Sequence, residues 1–177
     1  MTTKSESSDH PTPDWIYTML DRIFSFDLDV AASHENAKCP TYFTELDNGL
    51  AKRWSGRVWM NPPYGKGLEL WVEKAWISVT YGHADVVVGL LPNRTAANWY
   101  HDYVFRKAIE LPVRGRVRFH GNDNDAMFGS LVAIWLPEMS KESARLRGIG
   151  TTNKVYAPEG QVPLFKIKGG LSEGHGI

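Results

Sequence analysis

Arg57-Val58-Trp59-Met60-Asn61-Pro62-Pro63-Tyr64 is a short apolar run stopped by an asparagine and two prolines. A residue that precedes proline is pushed out of the helical region, so Arg57 to Met60 read as a strand and Asn61 to Tyr64 as a stiff loop at its carboxyl end. Downstream, Leu68, Trp71, Val72, Ala75 and Trp76 repeat at i, i+3, i+4 spacing, which predicts an amphipathic helix packed on a sheet. Ala84 to Leu91 is nearly all apolar and β-branched and is closed by Pro92, the pattern of a parallel strand buried on both faces. Strand, loop, helix and strand at this spacing indicate an open α/β sheet, in which ligands collect at the carboxyl ends of the parallel strands. Asn61 to Tyr64 lie at such an end.

Toward the amino terminus, Thr12 is a candidate helix cap with Pro13 at the first helical position, followed by Ile16, Met19, Leu20 and Ile23 at helical spacing. Phe26, Leu28 and Val30 alternate with Asp27 and Asp29, and the small residues Ala31, Ala32 and Ser33 follow, so a strand is expected to end at Asp29 to Ala31 in a tight turn. Residues 1–10 are polar and read as a mobile lead-in. Beyond Pro92 a helix is expected over Ala96 to Phe105, then strands at Ala108 to Leu111, Val113 to Phe119 and Ser130 to Trp135. Gly121 to Asp125 is rich in turn-forming residues, so the sheet is expected to finish in an antiparallel pair. The expected architecture is one α/β domain over 11–137, mostly parallel with an antiparallel edge pair and helices on both faces. Residues 138–177 read as an irregular basic segment of the same domain, with no hydrophobic rhythm.

Composition narrows the classes. Hydrophobic residues make up 42% of the 177 and charged residues 23%, as in ordinary folded proteins rather than disordered or fibrous ones. A formal net charge of +0 means that any nucleic-acid contact must come from a local basic patch. Cys39 is the only cysteine and the six histidines show no ligand spacing, so neither an internal disulfide nor a metal site is expected. No signal segment and no apolar run near the ~20 residues that span a bilayer is visible, which predicts a cytoplasmic protein without membrane contact.

The loop suggests its own chemistry. An exocyclic amine on a heteroaromatic ring is a poor nucleophile because its lone pair is delocalised. The Asn61 side-chain oxygen and the Pro62 carbonyl can each accept one amine hydrogen and draw that density back onto nitrogen. Pro62 and Pro63 fix the backbone so that the carbonyl is aimed in advance, and Tyr64 offers a flat face for a base taken out of its stack. A stiff turn with a half-buried tyrosine explains the same four residues in structural terms alone.

With these blocks in view the chain resembles the bacteriophage-type DNA N6-adenine methyltransferases, a Dam-like family. The matching stretches are Thr12-Pro13, Leu28-Asp29-Val30-Ala31-Ala32-Ser33, Asn36 to Pro40, Asp47-Asn48-Gly49-Leu50, Trp54, Val58 to Gly65, Leu90-Leu91-Pro92 and Gly115 to Phe119, spanning about Pro11 to Trp135. The resemblance implies a Rossmann-like methyltransferase core that uses S-adenosylmethionine. Thr12, Pro13, Asp29, Ala31, Ala32 and Asn61 would lie around the cofactor, and Asp47 at its adenine. Asp29 also suits a plain strand-end turn, and Asp47-Asn48-Gly49 is a good turn sequence in its own right. Larger methyltransferases carry a glycine-rich cofactor loop and a separate target-recognition domain; here Asp29-Val30-Ala31-Ala32-Ser33 stands in place of the former, and within these 177 residues the latter is not expected.

Double-stranded DNA is the partner that the resemblance implies. Arg114, Arg116 and Arg118 would share one face of an extended segment, and Arg94, Lys66 and Tyr64 flank the same cleft. An ordinary solvated strand face accounts for the arginine row about as well. Other acceptors of the methyl group fit the same loop: protein glutamine, RNA guanine or the N4 amine of DNA cytosine. An inactive DNA-binding descendant is the non-enzymatic alternative. A GATC target is a family-level expectation, and oligomeric state is not legible.

Overall fold

The computed structural model describes residues 11–115, 117, 129–137 and, as backbone, 155–156. The expectations for residues 1–10, for Arg116 and Arg118, and for nearly all of 138–177 lie outside that set.

Helix α1 (Asp14–Phe24) presents Ile16, Leu20 and Phe24 at four-residue intervals, all buried. An isolated helix of 11 residues is marginal in water, so this stripe holds it in place, each large side chain contributing about 1.5–3 kcal/mol on burial. It ends at Ser25, which is left-handed (φ 51°) and donates its N–H to the Asp21 carbonyl at 2.7 Å. The strands are β1 (Leu28–Asp29), β2 (Thr41–Tyr42), β3 (Gly56–Met60), β4 (Ala84–Pro92), β5 (Ile109–Arg114), β6 (Ser130–Trp135) and β7 (Val155–Tyr156); α2 (Leu68–Thr80) and α3 (Asn98–Tyr103) fall on either side of β4 in sequence. Among the described residues no helix is long and apolar enough to cross a membrane.

Seven strands form one sheet in the order β2-β1-β3-β4-β6-β5-β7. β1, β2, β3 and β4 are mutually parallel, and β6 runs antiparallel between β4 and β5. The expected mixed α/β sheet is therefore present, with its antiparallel strand one position in from β5. Side chains alternate across it. Trp59, Val86, Val88, Leu90, Val132 and Ile134 pack with α1 on one face. Val58, Met60, Val87, Leu91, Leu131, Ala133 and Trp135 pack with α2 and α3 on the other. With helices on both faces, β4 is buried at every residue but Asp85. Gly89 on β4 makes room for this packing: a Cβ there would fall 2.7 Å from Met60 Cε and 3.2 Å from the Trp135 ring.

Two local expectations change, the end of β1 falls within its expected range, and one strand is new. Helix α1 begins at Asp14 with Pro13 as its cap residue and no side-chain cap bond, because the Thr12 hydroxyl is engaged elsewhere. β1 stops at Asp29, where the chain turns on that residue's own carboxylate. β2 carries no sequence signal and forms because Phe43 N–H donates to Asp29 O and Ala32 N–H to Phe43 O. The strands expected at 108–111 and 113–119 begin as a single one, β5, which continues through Pro112 and ends before Gly115 at φ 80°.

Candidate active site

The parallel sheet delivers the Asn61 loop, the turn after β1 and the turn after β2 to the same end. Asn61 leaves β3 on the α1 face, next to the residue that precedes the helix: its Nδ2 donates to Thr12 Oγ1 at 2.9 Å. Thr12 is 4% exposed, so this bond is sheltered and pins the carboxamide. With the N–H committed to Thr12, the acceptor role falls to Oδ1, itself buried. Thr12 and Asn61 are 49 residues apart in sequence and adjacent in space.

Pro62 is buried and Pro63 exposed. Tyr64 departs from the open flat face expected of it. Its ring is 8% exposed within the α1-side core, and its hydroxyl donates to the Leu90 carbonyl at 3.2 Å. Burial pushes the phenol far above its usual range, so Tyr64 is a fixed wall and not an acid or base. Lys66 is exposed beside the loop, and Gly67, at φ 95°, caps α2 in a conformation that a side chain would strain.

Asp29 organises the neighbouring turn. Its Oδ1 accepts from Ala31 N–H at 3.3 Å and its Oδ2 from Lys38 N–H at 3.1 Å, so one carboxylate ties down both ends of residues 31–38. Lys38 in turn pairs with Asp14 at the start of α1, at 2.6 Å. Ala31 and Ala32 are half-buried on this turn. Burial pushes the Asp29 carboxyl up to about 6, against the opposing pull of the Lys38 and Ala31 amides and the Lys38 charge.

Two pH trends of opposite sign follow. Between about pH 4 and 6 the folded protein holds this proton more tightly than the unfolded chain, so stability is expected to fall as pH rises through that window and to level off above it. An ionised carboxylate is the stronger acceptor for the two amides, so any ligand held at this turn is expected to bind less tightly as pH falls through about 6. Denaturation midpoints and ligand affinity across this range would check both.

After β2, Asp47 closes a turn on itself: its Oδ2 accepts from Thr44 N–H at 2.9 Å and from Thr44 Oγ1 at 2.7 Å, two bonds that hold its pKa below the usual value. The turn reading of Asp47-Asn48-Gly49 is thus the observed one, and the residue remains exposed at the rim.

Of the basic residues, Arg94 and Arg114 are exposed at the carboxyl ends of β4 and β5. Both strands are antiparallel to β6 and so run the same way, and the chain ends Asn93 and Arg114 reach the level of Gly129. Two strand spacings put these ends about 10 Å apart, within reach of one nucleic-acid backbone.

Sequence reasoning assigned no role to Ser130, which is fully buried opposite Pro92 on the Asn61 face, its hydroxyl without a hydrogen-bond partner among the described residues. Nor did it find the support of the turn after β2, where Trp54 Nε1 donates to Gly49 O at 2.8 Å and Lys74 Nζ to Leu50 O at 2.7 Å. Apolar periodicity is blind to both, because each depends on which strand ends are neighbours.

Comparison with known proteins points the same way. A family model described as DNA N-6-adenine-methyltransferase (Dam) matches residues 1–146. The DNA N-6-adenine-methyltransferase of Escherichia phage T1 is 36% identical over 93 residues, covering 50% of this chain and 37% of the phage protein. The Escherichia coli (strain K12) protein named "Putative methyltransferase YfdM" is 41% identical over 61 residues, covering 30% of this chain and 67% of that one. The match thus spans little more than a third of the phage T1 protein.

Proposed function

Given that the chain belongs to the DNA N-6-adenine-methyltransferase (Dam) family, we propose that it transfers a methyl group from S-adenosylmethionine to the N6 amine of an adenine swung out of duplex DNA. The observation that carries this reading is the 2.9 Å bond from Asn61 to Thr12, which orients an acceptor oxygen at the carboxyl end of β3.

The residues at this end suit the cofactor. Ala31 and Ala32 leave the backbone of their turn approachable, Asp29 holds that turn rigid, and Thr12, Pro13 and Asn61 border it. When bound, S-adenosylmethionine supplies an electrophilic methyl group on sulfonium. The protein's part is to prepare the nucleophile. Asn61 Oδ1 and the Pro62 carbonyl accept the two N6 hydrogens, which favours a tetrahedral nitrogen with its lone pair directed at the methyl. Neither acceptor takes a full proton before transfer: the methyl–sulfur bond breaks as the methyl–nitrogen bond forms, leaving a neutral thioether, and the surplus proton on N6 passes to solvent afterwards. The two prolines and the Thr12 bond keep both oxygens in place, so little reorganisation is needed as the transition state forms. Tyr64, anchored on Leu90, backs the loop and exposes only a margin of its ring to an incoming base.

Arg94, Arg114 and Lys66 supply the backbone contacts that a neutral protein needs locally, with Arg116 and Arg118 as further candidates. The purified chain is expected to transfer labelled methyl groups to unmethylated duplex DNA, with affinity that weakens as salt rises. Labelling of protein or RNA alone would reject the DNA assignment, and comparing duplexes with and without GATC would test that target.

A further inference from the structure

The turn from Thr44 to Ala51 is held from beneath by residues well separated from it in sequence. Trp54, 1% exposed, donates its indole N–H to Gly49 O. Lys74, from the second turn of α2, reaches Leu50 O and lies 5.4 Å from the centre of the Trp54 ring. Trp71, one turn earlier, stacks on Trp54 with centroids 6.0 Å apart and planes at 28°. The turn is also pressed onto the end of β1: a Cβ on Gly49 would fall 2.3 Å from the Val30 carbonyl oxygen and 3.1 Å from Trp71, so only glycine allows this seating.

Carbonyls at the end of a helical turn lack partners within it. Water would serve them on an ordinary surface turn. Here the indole serves Gly49 O, beside a long 3.4 Å bond from Lys52 N–H, and a half-buried ammonium serves Leu50 O; burial lowers the ammonium's pKa. Lys74 gives up part of its hydration to reach one carbonyl where an apolar residue could fill the space, and a polar contact of this kind can fix position. What is being positioned lies at the same end of the parallel strands as the proposed site. The turn rises from the carboxyl end of β2, touches the residue after Asp29, and carries Leu46, 95% exposed, an apolar side chain with nothing to bury it.

We infer that Lys74, acting with Trp54, sets the turn 44–51 as the wall against which the adenosine half of the cofactor is held, which makes Lys74 a positioning residue for cofactor binding. The inference rests on the function proposed above. It also gives α2 a second role, since the helix that begins at the catalytic loop braces the cofactor wall two turns later.

The test is Lys74→Met in the full chain, with S-adenosylmethionine affinity measured by calorimetry alongside steady-state kinetics on DNA. Losing a charge-assisted hydrogen bond is expected to weaken cofactor binding and raise its KM by about tenfold. The value of kcat should stay within about twofold and the KM for DNA should not move, as expected when only ground-state binding is lost. Lys74→Arg should recover most of the affinity. If Lys74→Met does not fold, Trp54→Phe, which deletes the indole N–H and keeps an aromatic ring, should show the same split. Cofactor affinity equal to wild type in these variants, or a fall in kcat at unchanged KM, would overturn the inference while leaving the methyltransferase reading intact. A wild-type chain that binds no S-adenosylmethionine would overturn both.

Discussion

Asn61→Ala is expected to lower methyl transfer to DNA by about 10²–10³-fold or more while changing cofactor affinity by no more than a few fold. The amine of adenine gains nucleophilicity only if hydrogen-bond acceptors hold its two hydrogens as the methyl group arrives, and alanine removes one acceptor outright. Cofactor binding is spared because the turn at 31–38 is held by Asp29 and not by Asn61. Asn61→Asp separates position from charge. A carboxylate can still accept from the amine but cannot donate to Thr12, so it is expected to retain part of the activity, and Thr12→Val should reproduce the loss of orientation without touching the acceptor. Single-turnover rates with cofactor in excess would measure the effect. Equal losses of kcat and of cofactor affinity in Asn61→Ala would assign the residue to the scaffold and not to the reaction.

Trp59→Ala should be the most damaging change to the fold, at about 3–5 kcal/mol. The side chain is fully buried on β3, two residues before Asn61, with the Tyr17 ring edge-on at 5.6 Å and the Phe26 ring at 5.5 Å. Its backbone is registered between Asp29 on β1 and Val88 on β4, so the cavity would open between the turn after β1 and the central strand. Against a total stability of roughly 5–15 kcal/mol, a loss of this size consumes much of the margin. The melting temperature is expected to fall by about 10 °C or more. Trp59→Phe should be far milder, because the indole Nε1 has no hydrogen-bond partner among the described residues and the ring contacts largely survive. A melting point unchanged in Trp59→Ala would show that this contact does not hold α1 to the sheet.

The strand before the prolines, the long buried strand β4 and the helix between them were legible because each carries its pattern within a dozen residues. Less was visible where structure depends on a distant neighbour. Thr12 looks like a helix cap from sequence and serves Asn61 in the fold. Tyr64 looks like an open platform and is a buried wall, since its hydroxyl finds the Leu90 carbonyl one strand over. β2 has two residues and no periodicity, and the hydrogen bonds at the end of β1 create it. Asp29 was legible as a strand-end turn, and its carboxylate does bind the two ends of that turn; the cofactor role is what the resemblance alone implies.

Sequence alone thus determined most of the elements and the chemistry on offer: proline geometry, hydrophobic periodicity and the donor and acceptor character of Asn61 act between near neighbours in the chain. Only the tertiary structure decided the partners. The bond across 49 residues from Asn61 to Thr12 and the one across 24 from Lys74 to Leu50 exist because parallel strands bring their carboxyl ends to one edge of the sheet. No local preference encodes that adjacency. It follows from the order of the strands, which is set by burying two apolar faces at once.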